Sequence, residues 1–120
     1  MKTTVKSASK EDIDKIIDIY SEWKKFRNVL PSEIANVDTY DDLIPYFDDS
    51  NNTRKYLIAK DEQKNPLGAC YIDITFLKGN NIRLGNMMVK EEYRGKGVGA
   101  AIVDEVIKYA KENQVHKIWL

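Results

Sequence analysis

The run Tyr93-Arg94-Gly95-Lys96-Gly97-Val98-Gly99-Ala100 carries the clearest chemistry in the chain. Glycines at alternate positions strip side chains from a turn, so that its backbone N–H groups can face an anion. The residues after the turn have helical spacing, and a helix N-terminus adds unpaired N–H donors and the positive end of the helix dipole. Arg94 and Lys96 supply mobile positive charge beside that fixed field, and the ligand expected is a pyrophosphate. A Walker A loop is excluded, because no Ser or Thr follows Lys96 to hold magnesium. Gly95, Gly97 and Ala100 match a dinucleotide fingerprint. That fingerprint should follow the first strand of a βαβ unit, however, and be answered about 20 residues on by an acidic residue. No Asp or Glu follows Glu112.

The loop must be presented by the elements that flank it. Residues 82–89 read as a strand that delivers the chain to the glycines. Past them, Val98, Ile102, Val106 and Ala110 share one helical face, which Val103 and Ile107 widen. Upstream, residues 55–59 and 67–76 read as strands rich in β-branched and aromatic residues, separated by a polar turn, with a hairpin turn at 78–81. Residues 3–7 read as a first strand. Ser9 and Asp12 then open a helix in capping-box style, with Ile13, Ile16, Ile17, Tyr20 and Trp23 at helical spacing to about Phe26. Pro31 opens a second, less regular helical stretch containing Ile34, Tyr40, Leu43, Ile44 and Phe47, which Pro45 should break.

Arg94, Gly97 and Gly99 also satisfy the pattern Arg-x-x-Gly-x-Gly. Together with the strand Asn86-Met87-Met88-Val89, the connector Lys90-Glu91-Glu92-Tyr93, the following helix and the Lys117-Ile118-Trp119-Leu120 strand, they make the chain resemble the GNAT acetyltransferase superfamily. The resemblance implies an α/β (α+β) fold: a mixed, mostly antiparallel central sheet with helices on both faces. It implies one domain over residues 1–120, lacking the family's C-terminal strands. Acetyl-CoA is the implied acyl donor, held by Arg94, Gly95, Lys96, Gly97, Val98, Gly99 and Ala100, with main-chain groups of Met87, Met88 and Val89 at the thioester carbonyl. The implied activity is acetyl transfer to a primary amine of a small molecule or protein. A truncated or non-catalytic acyl-CoA-binding module is the alternative.

Such a transfer needs a neutral amine, and a lysine-type amine has a pKa of about 10.4, so a group must take its proton. Many members of the family carry a Glu on the fourth strand, where this chain has Arg83, Gly85 and Asn86. Asp73 on the preceding strand is the nearest candidate base, with Glu33 and Asp38 as outsiders, and Asn86 is a candidate for orienting a water. The family's acid, a Tyr after the fifth strand, has no counterpart before Leu120, and Tyr71 and Tyr93 do not match its position. His116 reads as a surface residue.

The 19 basic and 19 acidic residues balance, which predicts neither nucleic-acid nor membrane partners. No run of about 18 apolar residues is present to span a bilayer. Cys70 is the only cysteine, so no intrachain disulfide forms and a cytoplasmic location is expected; no metal site is expected. Charge is uneven along the chain. Between residues 31 and 53 every charged residue is acidic: Glu33, Asp38, Asp41, Asp42, Asp48 and Asp49. These read either as solvated caps and turns or as a rim that attracts a cationic amine acceptor. The apolar strand Ile118-Trp119-Leu120 predicts a homo-oligomer, most simply a dimer.

Overall fold

In the computed structural model, residues 1–22 and 39–120 are described. Trp23, Phe26, Pro31, Glu33, Ile34 and Asp38 therefore lie outside the described residues. Five strands form one sheet in the order β1-β2-β3-β4-β5: β1 (Thr4–Ser7), β2 (Arg54–Lys60), β3 (Pro66–Asp73), β4 (Asn81–Val89) and β5 (Lys117–Trp119). The first four are antiparallel to their neighbours, and β5 runs parallel to β4. Helix α1 (Ile13–Tyr20) covers one face and helix α2 (Val98–Glu112) the other.

This two-sided cover explains the unbroken apolar run of β2. Tyr56 and Ile58 pack under α1 with Ala69, Tyr71 and Met88, whereas Leu57 and Ala59 pack under α2 with Leu67, Cys70, Ile72 and Ile82. Val98, Ile102, Val106 and Ala110 of α2 are buried as expected. Ile107 is not, at 39% exposure. On α1, Ile19 joins the buried stripe and Ile17 is only half-buried. The Ser9 N–H donates to Asp12 Oδ2 at 2.9 Å, as the capping box requires.

Two expected elements end early for local reasons. Strand β3 stops at Asp73, whose Oδ1 accepts the Thr75 N–H at 3.0 Å and turns the chain into a 3-10 turn over Leu77–Gly79. The second helical stretch is interrupted at Pro45, as expected: the α-helical turn Tyr40–Leu43 gives way to a 3-10 segment, Ile44–Phe47, because Pro45 has no N–H with which to continue the α-helix. His116 is exposed, and its backbone N–H donates to Asn80 O at 2.9 Å.

Strand β4 is the element that matters for function. Its register with β3 runs Asp73↔Arg83, Ile72↔Leu84 and Tyr71↔Gly85, then slips so that Ala69 faces Met88. One extra residue on β4 produces this bulge, and Asn86 takes it up with φ of 48°. Strand β5 pairs with β4 only at Asn81, Ile82 and Arg83. Beyond Arg83 the outer edge of β4 has no strand neighbour among the described residues.

Candidate active site

The chain leaves β4 at Val89 through a connector that uses up its own backbone donors. The N–H groups of Lys90, Tyr93 and Arg94 donate to Leu67 O, Lys90 O and Glu91 O at 2.9, 2.9 and 3.2 Å. From there the pattern changes. The N–H groups of residues 95–100 reach no acceptor among the described residues, and Ala101 N–H is the first to be used, on Gly97 O at 3.0 Å. Gly95 and Gly97 have φ of 75° and 84°, a left-handed conformation that only glycine adopts freely. A Cβ on either would meet nothing within 4 Å, so the glycines are required by the backbone conformation and the space beside them is open. Buried Val98 and Ile102 fasten the start of the 15-residue helix α2 to the sheet, which fixes the positive end of its dipole there. A run of free N–H groups at a helix N-terminus, with space before it, fits a pyrophosphate.

The two cations of the loop divide. Lys96 is exposed, with Nζ 5.9 Å from the Tyr93 ring centroid, and is the adjustable charge. Arg94 has protein partners. Its Nε donates to Val89 O at 3.0 Å and its Nη2 lies 3.6 Å from Glu22 Oε2, so it braces the end of β4 against the residues after α1. Glu22 also accepts the Glu91 N–H at 2.9 Å, and Asp18 on α1 pairs with Lys90 at 2.8 Å. Neither acid was singled out from the sequence, because partners so distant along the chain leave no spacing signal.

Between the cradle and β5 lies the unpaired edge of β4, where Asn86 and Met87 are exposed, Val89 is half-buried and Met88 is buried under α1. Apart from Val89 O, which Arg94 Nε holds, the main-chain groups that point to this edge have no strand partner among the described residues and can pair with an extended ligand. Asn86 stands at the bulge itself.

Asp73 stands apart from the cradle. In register with Arg83, it lies about 20 Å along the strand from Val89 and about 10 Å from the Asn86 bulge, at 3.3 Å per residue. Desolvation acts to raise its pKa, but hydrogen bonds from Thr75 and the charges of Arg83 and Arg54 outweigh it and hold the carboxyl below its ordinary value. That makes Asp73 a weaker base than a free carboxylate. Burial pushes the Cys70 thiol up to about 12, so it is no nucleophile.

The acidic stretch is partly committed. Asp42 accepts the Thr39 N–H at 2.8 Å in a second capping box, and Asp48 accepts the Ser50 N–H at 2.9 Å; these hydrogen bonds lower both pKa values. Asp41 and Asp49 remain exposed. On the same side of the sheet as α1, the structure also gathers Arg54, Tyr56, Tyr71 and Arg83, a cluster that sequence spacing did not reveal.

A family model described as the acetyltransferase (GNAT) family matches residues 14–120. No curated protein matches the sequence. Among solved structures, the PaiA N-acetyltransferase from Thermoplasma acidophilum in complex with coenzyme A is similar at a TM-score of 0.76 and 20% identity, over 96% of this chain and 76% of that one. A predicted acetyltransferase with acetyl-CoA from Clostridium acetobutylicum is similar at 0.68 and 22%, over 98% and 79%. A GNAT-family acetyltransferase from Staphylococcus aureus Mu50 gives 0.71 and 20%, over 98% and 72%.

Proposed function

The chain belongs to the acetyltransferase (GNAT) family, and from that premise we propose that it transfers an acetyl group from acetyl-CoA to a primary amine of a small molecule or protein in the cytoplasm. The observation that carries this reading is the set of backbone N–H groups at 95–100 with no protein acceptor, fronted by the open space at Gly95 and Gly97. Those groups hold the pyrophosphate, and Lys96 closes over it. The unpaired main chain of 86–89 aligns the arm that leads to the thioester.

Acetyl-CoA supplies a thioester carbon, on which the amine nitrogen forms a C–N bond while the C–S bond breaks and the thiol leaves with a proton. The chain's part is to position and to manage protons. Asn86, exposed at the bulge, orients a water that carries away the amine proton, a role that needs no charge on the side chain. No metal ligand set is required for any of this.

The test is thiol release from acetyl-CoA across a panel of primary amines, run beside calorimetric titration of acetyl-CoA. Binding together with amine-dependent release is expected. Binding without release selects a non-catalytic acyl-CoA module, and absence of binding refutes both readings.

A further inference from the structure

The α1 side of the sheet carries two guanidinium groups around one tyrosine ring, and the donor site uses neither. The Arg54 Cζ lies 3.9 Å from the Tyr71 ring centroid and 4.5 Å from that of Tyr46, while the Arg83 Cζ lies 5.7 Å from Tyr71. The Arg54 Nη1 donates to Tyr56 Oη at 3.0 Å, and the Arg83 Nη2 donates to Tyr71 Oη at 2.9 Å. The rings hold both side chains in place by cation–π contact, and among the described residues most of the five N–H donors on each have no acceptor. Among the described residues, one carboxylate approaches within 4.0 Å of either: Asp73 Oδ2, 3.8 Å from Arg83 Nε. Two positive charges face one negative charge, and Asp73 already takes the Thr75 N–H. One positive charge is unmatched on a half-buried surface.

Its location gives that charge a use. Tyr71 lies opposite Gly85, the residue directly before the Asn86 bulge, and its ring crosses over Gly85. Arg83 stands two residues earlier, about 7 Å along the strand. An acceptor with its amine at the bulge would therefore place a group a few bonds away among the arginines. An open cavity of about 450 Å³ adjoins Arg83, lined also by Asp73, Phe76 and Trp119, with room for an apolar body.

Resting on the N-acetyltransferase reading, we propose that Arg54 and Arg83 form an anion subsite for the acceptor. The preferred acceptor is then an amine that also carries an oxyanion, above all a carboxylate as in a free amino acid, in place of a polycation. A planar guanidinium fork matches a carboxylate's two oxygens.

Phenylalanine and phenethylamine differ by that carboxylate, O-phosphoethanolamine and ethanolamine by a phosphate, and spermidine is the polycation. With acetyl-CoA saturating, kcat/KM from thiol release should be at least about tenfold higher for the anionic member of a pair than for its neutralised partner, and higher than for spermidine. A preference confined to the phosphate pair supports the subsite with phosphate as its oxyanion. Arg54→Gln and Arg83→Gln should each cost phenylalanine about ten- to a hundredfold, mainly through KM, with phenethylamine little changed and acetyl-CoA affinity unaltered. Equal kcat/KM within both pairs, or equal losses for both members, overturns the subsite while leaving the transferase reading intact. Absence of release with every amine refutes the transferase reading instead. The subsite is then decided by 3-phenylpropanoate: thermal stabilisation of the wild-type chain that both variants lose supports it, and no stabilisation, or the same in the variants, overturns it.

Discussion

Gly85→Ala should destabilise the fold, and the register of β3 on β4 says why. A Cβ at Gly85 would stand 2.5 Å from Cε1 and Oη of Tyr71, and closer still to Cζ. Carbon atoms in good contact stay about 3.5–4.0 Å apart, so one of the two must move. Tyr71 has little freedom to do so. It is 4% exposed, its ring centroid is 5.7 Å from that of Tyr56 and 3.9 Å from Arg54, and its hydroxyl holds Arg83. Forcing a methyl into such a site costs about 1–3 kcal/mol. Without the clash, alanine in a strand interior would gain about 0.5–1 kcal/mol over glycine. The net loss is thus about 0–2.5 kcal/mol, or a fall in Tm of up to roughly 10 °C at about 4 °C per kcal/mol for a domain of this size. In a Tyr71→Ala background the sign should reverse, and Gly85→Ala should stabilise by about 0.5–1 kcal/mol. Urea unfolding of the four proteins, with unchanged m, measures both. Equal effects of Gly85→Ala in the two backgrounds, or stabilisation in the wild type, would refute the reasoning.

Gly97→Ala should cost about 1–2 kcal/mol from its left-handed φ and weaken acetyl-CoA binding at least about tenfold in calorimetry, because relief of that strain turns the loop N–H groups away from the ligand; undiminished affinity would count against the cradle. Glu22→Ala removes the brace on Glu91 and Arg94 and should weaken acetyl-CoA binding by roughly threefold to tenfold, with a Tm change too small to explain it. Asp12→Asn should cost about 1–3 kcal/mol at neutral pH. Desolvation opposes ionisation of Asp12, but hydrogen bonds from Lys60 and Ser9 prevail and lower its pKa. Its contribution is therefore complete above about pH 4 and is lost as pH falls through the lowered value. A gap between wild type and variant that stays constant down to pH 3 would contradict this. The exposed Ile118 and Trp119 on β5 should drive concentration-dependent self-association in light scattering, reduced by Trp119→Glu; a monomer at every concentration would refute it.

The donor cradle was legible because its information is local. Positive φ at Gly95 and Gly97 is a property of the residues that occupy those positions, and the helix that follows is written in the spacing of Val98, Ile102, Val106 and Ala110. Strand β2 was legible from its continuous apolar run. The bulge was not, since asparagine tolerates a left-handed φ without demanding one, and Asn86 looked like any strand residue. The end of β3 was missed because an Asx turn at Asp73 competes with continued pairing, and the alternation of side chains carries no sign of it. The partners of Arg94 were missed for a related reason: Val89 O and Glu22 meet it together only once α1 is docked on the end of β4.

The same distinction separates the two halves of the site. The cradle consists of consecutive backbone groups, so any chain that keeps the glycines and the helix keeps a place for the pyrophosphate, whatever its other side chains. The cluster beside the bulge consists of single side chains from β2, β3 and β4, which meet because Arg54 faces Asp73 and Asp73 faces Arg83 across the sheet. Its chemistry can be rewritten one residue at a time: Arg83 is a partly exposed side chain that touches the core only through Tyr71, yet it carries half of the local positive charge. Gly85 is the exception, since it is fixed by the ring that crosses it. A site built this way keeps its donor constant and leaves its acceptor open to change, and the acidic stretch before β2 and the arginine pair predict opposite acceptors, which the panel of amines separates. Net charge along a segment says little about the field at a point where other strands deliver two guanidinium groups.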